Sequence, residues 1–221
     1  PKCGGGFMAS NPRWCRPLPD WKQYFTDWIT RAEPQELLQF SIFFDFRIVY
    51  GDAILAHSLR QHVHEVLGAQ PAFFPHLARN ALLFSPPFRL FGNIYIGGTE
   101  HAGQLNLKDT VMAMVDFARL YALRHRVDHT HTQDRIEALV EHKALLPASR
   151  DETLAAYDTV MRLRLEDQLA ALEAGRPMDN AIDPRRLDHA QETQLRQAFT
   201  QISALQKKIN YDFFGAAAGV G

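Results

Sequence analysis

Ser41-Ile42-Phe43-Phe44-Asp45-Phe46-Arg47-Ile48-Val49-Tyr50-Gly51-Asp52 is the stretch on which the fold of this chain turns. Aromatic and β-branched residues crowd together there, as a buried strand requires, and the run stops at Gly-Asp. A strand over it places residues 43, 45, 47 and 49 on one face, so its single carboxylate, Asp45, lies beside Arg47. Burying a polar group without a partner costs about 2–7 kcal/mol. Asp45 therefore calls for one of two partners: the Arg47 guanidinium, in a structural ion pair at the sheet edge, or a divalent cation.

Working outward, the 221 residues are enough for one large or two small domains with a core that needs no disulfides. The net charge of −1 argues against a nucleic-acid surface, and no apolar run reaches the roughly 18 residues of a membrane span. The opening Pro1-Lys2-Cys3-Gly4-Gly5-Gly6 lacks a positive start followed by an apolar core, so no signal peptide is expected. Cys3 and Cys15 have no metal-ligand spacing and point to a reduced, cytoplasmic setting. A chain that starts without Met in a glycine-rich turn is expected to be a fragment of something longer.

Residues 4–12 read as a flexible loop. Asp20 is expected to cap a helix with Trp21, Tyr24, Phe25, Trp28 and Ile29 on one face, and Pro34 to open a short helix leading into the strand. Asp52 then caps a helix burying Ile54, Leu55, Leu59, Val63 and Val66 and ending at Gly68. Pro71 begins a new unit with a helix over 73–84, closed by Pro86-Pro87. Period-two spacing from Phe88 to Leu107 predicts a β-hairpin with a long loop. Helices follow along Val111–Ala122, Ile136–Val140, a segment opened by a capping box at Ser149–Glu152, and the stripe Leu195, Ala198, Phe199, Ile202, Leu205, Ile209 and Phe213. Amphipathic helices joined by short polar loops must pack together, so the expected fold is mainly α with a small β element: an α/β remnant, then an antiparallel helical bundle with a hairpin. The expected boundaries are 1–70, 71–214 and a fraying tail, 215–221.

Two sets of residues are candidates for chemistry. His125, His129 and His131 with Asp128 and Asp134 are the densest group of metal-ligand types, but their spacing fits no common zinc pattern and reads as a polar connection capping the next helix. The second set is cationic: Lys108, Arg119, Arg162 and Arg164, any of which either lines a groove for phosphate or an acidic partner or is paired internally, a pairing that the i, i+3 spacing of Asp116 and Arg119 allows. Gly-x-Ser-x-Gly, His-Glu-x-x-His, P-loop and dinucleotide fingerprints are all missing from the 221 residues.

Taken together, Cys3-Gly4-Gly5-Gly6-Phe7-Met8-Ala9-Ser10-Asn11-Pro12, the Trp21–Ile29 helix and Ser41–Arg47 resemble the later half of a nucleotidyltransferase domain related to the N-terminal part of protein-PII uridylyltransferase. Leu105-Asn106-Leu107-Lys108, Val115-Asp116-Phe117-Ala118-Arg119, Arg162-Leu163-Arg164 and Asn180-Ala181-Ile182-Asp183-Pro184 resemble the helical substrate-binding domain that follows it. The resemblance implies a transfer of a nucleoside monophosphate from a nucleoside triphosphate to a hydroxyl, with Mg2+ held by carboxylates, and Phe44-Asp45-Phe46 has the form of the third of these. It makes Asp45 the catalytic and metal-binding candidate, and Arg47, Lys108, Arg119 and Arg162 the substrate-binding ones. It also implies partners: an upstream half with a Gly-Ser turn and an Asp-x-Asp pair, cyclic-nucleotide-binding and CBS sensor modules, and a protein acceptor. This sequence contains neither of those two motifs, so no turnover and no bound cofactor are expected of the fragment alone. The family often has Asp where Asn106 stands. The competing expectation is a non-enzymatic signalling module that dimerises through the Leu195–Phe213 stripe.

Overall fold

The computed structural model describes residues 11–84 and 104–215. Among them are eight α-helices and one two-stranded antiparallel sheet, so the chain is mainly α with a small β element. It divides into two compact units, residues 1–77 and 78–221.

The first unit holds α1 (Leu18–Arg31), α2 (Pro34–Phe43), α3 (Ala53–Ala69) and the start of α4 (Phe73–Ala81). Aromatic packing builds its core. Phe25 meets Phe40 edge-on at 5.8 Å, and Phe40 stacks on Phe44 at 5.4 Å and meets Phe73 at 4.8 Å. Here the strand expected over 41–50 is corrected. Ser41, Ile42 and Phe43 complete the last turn of α2, Phe44 and Asp45 form the turn after it, and residues 46–52 run without regular structure to α3. Phe40, Phe43 and Phe44 are spaced as one face of a helix, and burial against Phe25 and Phe73 outweighs the β propensity of the run. Without a strand, Asp45 and Arg47 share no face; Arg47 is exposed and forms no ion pair with a described residue.

Asp52 accepts from the Ile54 N–H at 2.8 Å, as expected. The cap position of α1 is Pro17, with Asp20 inside the first turn. The expected capping box at Ser149 lies within α7 (Pro147–Glu173), because Pro147 supplies a favoured first residue two positions earlier. The box that exists joins Asp188 to Gln191 at the start of α8 (His189–Phe214).

In the second unit α5 (Leu107–Arg124) packs on α6 (Thr132–Glu141), α7 and α8, and α7 lies along α8. Leu195, Ala198, Phe199, Ile202, Leu205 and Ile209 are all buried in this core. The stripe offered as a dimer seam is therefore consumed inside the bundle. Strand β1 (Leu105–Asn106) pairs with β2 (Ala181–Ile182), Asn106 opposite Ala181, so its partner comes from 75 residues downstream rather than from a local hairpin. The rest of the expected hairpin, like the glycine loop over 4–10 and residues 216–221, lies outside the described residues.

Arg135 on α6 is 1% exposed, and its Nε donates to the His129 carbonyl at 2.6 Å. This ties down the connection that carries His129 and His131, but its cap position, His131, makes no side-chain hydrogen bond to α6, so the expected polar capping is not seen; no group of three or more ligand-type side chains gathers among the described residues. Arg135→Met keeps the apolar stem and removes the donors, so it should lower unfolding stability by about 2–3 kcal/mol. Urea denaturation checks this: the midpoint should fall at unchanged slope, and a loss within the roughly 0.5 kcal/mol of a surface substitution would contradict it.

Candidate functional site

Three sequence-distant segments meet at β1 and β2. Asn106 ends β1 and caps α5, its side-chain oxygen accepting from the N–H groups of Lys108 (3.0 Å) and Asp109 (3.4 Å). Asparagine serves here as aspartate would, since only a short side-chain acceptor is needed. The next N–H, of Leu107, donates to the Asn180 carbonyl at 2.8 Å. The Asn180 side-chain oxygen accepts from Arg164 Nε at 2.8 Å and more weakly from Gln168 Nε2 at 3.5 Å, so α7 is fastened to the segment entering β2. Beyond β2, Asp183 caps a single 3₁₀ turn, Pro184–Arg186, and pairs with Arg185 through two contacts of 2.9 Å. That pair, with the Arg185 backbone N–H, holds the Asp183 carboxyl below the usual carboxylate range.

Two cationic side chains keep unused donors at this cluster, beside the exposed carboxylate of Asp109 in the first turn of α5. Arg164 is held by its Nε, and its terminal nitrogens make no hydrogen bond with a described residue. Lys108 is exposed at the positive end of α5, its ammonium likewise without a partner among the described residues. Arg162 lies two residues before Arg164, about 200° around α7, and so points elsewhere: its Nη2 donates to Gln194 of α8 at 2.6 Å. Gln194 in turn lines a groove of about 600 Å³ between α7 and α8, with Glu152, Thr159, Arg196, Gln197 and Thr200. Arg119 belongs to neither place. Its guanidinium meets Asp116 at 3.1 Å with 11% of the side chain exposed, the internal pairing that the i, i+3 spacing allows.

The structure thus brings Lys108 to the β1–β2 cluster, ties Arg162 to Gln194 of α8, pairs Arg119 internally, and leaves Asp45 and Arg47 in the first unit. Asp45 is half-buried on the turn after α2. Sequence reasoning missed Asn180 as the hub of the cluster, although it quoted the motif that begins there. It also missed Gln201, whose Nε2 donates to Thr153 Oγ1 at 2.8 Å between α7 and α8. A polar residue breaking an apolar helical stripe was the available signal.

The chain belongs to the family described as Putative nucleotidyltransferase substrate binding domain, whose model matches residues 71–213. Residues 1–35 match a second family, described as Putative nucleotidyltransferase. The 221 residues are therefore nucleotidyltransferase-related. No curated protein and no solved structure matches the chain. No helix among the described residues is long and apolar enough to cross a membrane.

Proposed function

We propose that the second unit presents the acceptor hydroxyl to a nucleotidyltransferase centre, holding the acceptor at the β1–β2 cluster through Lys108, Arg164 and Asn180, with Arg162 contributing from beside Gln194. The observation that carries this reading is a convergence: three of the four motifs behind the family resemblance in residues 71–213 meet in one hydrogen-bonded cluster, where Lys108 and the terminal nitrogens of Arg164 remain as donors. The transfer, in the manner of protein-PII uridylyltransferase, moves a nucleoside monophosphate from a nucleoside triphosphate to the hydroxyl of a protein tyrosine and releases pyrophosphate. Asp45 contributes one carboxylate toward Mg2+, and polypeptide outside these 221 residues contributes the others, together with the sensor modules that regulate transfer. Its support is the apolar-acid-apolar Phe44-Asp45-Phe46 and the surface around it. Ile42, Ile48, Val49, Tyr50, Ile54 and Leu55 are 43–99% exposed, a concentration of apolar side chains that normally marks an interface.

The test is an assay of the intact protein with α-labelled nucleoside triphosphates, Mg2+ and candidate protein acceptors. Label joined to tyrosine with equimolar pyrophosphate, abolished by chelating the metal, is expected; the 221-residue chain alone should give none. Free monophosphate without labelled protein, or transfer unaffected by chelation, would contradict the proposal.

A further inference from the structure

At the far end of α5 from β1, about 27 Å along an 18-residue helix, two helices finish in the same way. His125 follows α5 and Arg126 comes next with φ 57°; His142 follows α6 and Lys143 comes next with φ 55°. In each case the backbone closes a Schellman turn: Val127 N–H to Ala122 O and Arg126 N–H to Leu123 O, then Ala144 N–H to Leu139 O and Lys143 N–H to Val140 O. The left-handed position of this turn is usually glycine, because a side chain there meets its own backbone. Here it carries a cation twice.

The two turns face one another, with the His125 and His142 rings 6.1 Å apart. From α5, Arg124 lies over the Phe213 ring at 4.6 Å; from α8, Lys208 reaches Asp212 at 2.9 Å. Asp212 also takes the Tyr121 hydroxyl at 2.6 Å, so its charge is already engaged. Glu141 and Asp128 are the other carboxylates near these turns in the chain. The heads of Arg126 and Lys143 are exposed and form no hydrogen bond or ion pair with a described residue. They do not bond the helix-end carbonyls, so hydrogen-bonded capping does not account for them.

We infer that these twin turns are a docking face for an acidic polypeptide segment, whose spaced carboxylates meet Arg124, Arg126, Lys143 and the two histidines. A compact phosphate fits less well, because the carbonyl ends of α5 and α6 repel an anion brought close to the backbone, whereas long side chains reach carboxylates held further out. This face is distinct from the β1–β2 cluster. Proton linkage follows from His125. Burial, with His142, Arg124 and Lys208 nearby, holds His125 below the usual histidine range against the opposing pull of Asp212. An acidic partner favours the charged imidazole, so binding takes up protons and tightens as pH falls.

The test uses the 221-residue chain and a fluorescein-labelled decaglutamate peptide, read by anisotropy at low salt. Arg126→Gly with Lys143→Gly removes both charges and suits the left-handed backbone, so the melting temperature should hold or rise while affinity falls at least tenfold. Lowering pH from 7.5 to 6.0 should strengthen wild-type binding severalfold, with no such gain in a His125→Gln, His142→Gln variant. Removing two charges elsewhere, Arg31→Gln with Arg176→Gln, should leave affinity within twofold. Equal losses in the glycine and control variants would overturn the inference. So would binding of phosphatidylserine vesicles through the same residues without binding of the peptide.

Discussion

Asp45→Asn in the intact protein is expected to reduce nucleotidyl transfer by about a hundredfold or more, because an amide is a poor substitute for one of the charges that hold the divalent ion. The change is nearly isosteric and sits on a half-buried turn, not in the Phe25–Phe40–Phe73 core, so the unfolding midpoint should barely move. The effect should be in kcat at saturating acceptor, since the proposed division of labour assigns acceptor binding to other residues. Asp45→Ala should lose at least as much activity. Near-normal transfer in a folded Asp45→Asn protein would reduce the residue to a structural end of α2 and remove the one catalytic group assigned to this chain.

The sequence made the second unit more legible than the first. Period-3.6 stripes such as Leu195–Ile209 appear in the fold as buried faces because helices in a bundle have one dominant choice, which face to turn inward. The 41–50 run misled for a physical reason: short apolar runs carry no decisive period, and Phe40, Phe43 and Phe44 satisfy a helix as readily as a strand. Legibility of the site followed the same division. Asn106 and Asn180 sit in quoted motifs, but that they meet depends on β1 pairing with a segment 75 residues away, a contact no local pattern encodes. Arg119 and Asp116 were readable as a pair because their spacing is local. Arg162 and Arg164 looked equivalent in sequence, and only the turn of α7 separates the one facing Gln194 from the one facing Asn180.

That separation gives the second large effect. Arg164 has two tasks at the cluster: its Nε fastens Asn180, and its terminal nitrogens remain for the acceptor. Arg164→Ala should weaken acceptor binding by about tenfold to a hundredfold, the 1.5–3 kcal/mol of a charge-assisted hydrogen bond. Arg164→Lys should recover only part of this, because an ammonium cannot hold Asn180 and the acceptor with one planar group. Arg119→Ala, which removes an internally paired cation, should leave acceptor binding near wild type.

The most direct measurement is steady-state transfer by the intact protein, with acceptor and nucleoside triphosphate varied in turn, comparing Arg164→Ala with wild type. A rise of tenfold or more in KM for the acceptor, with KM for the triphosphate and kcat within about twofold, is the result the account predicts. An unchanged acceptor KM, or an equal rise in both, would contradict the assignment of acceptor binding to the β1–β2 cluster.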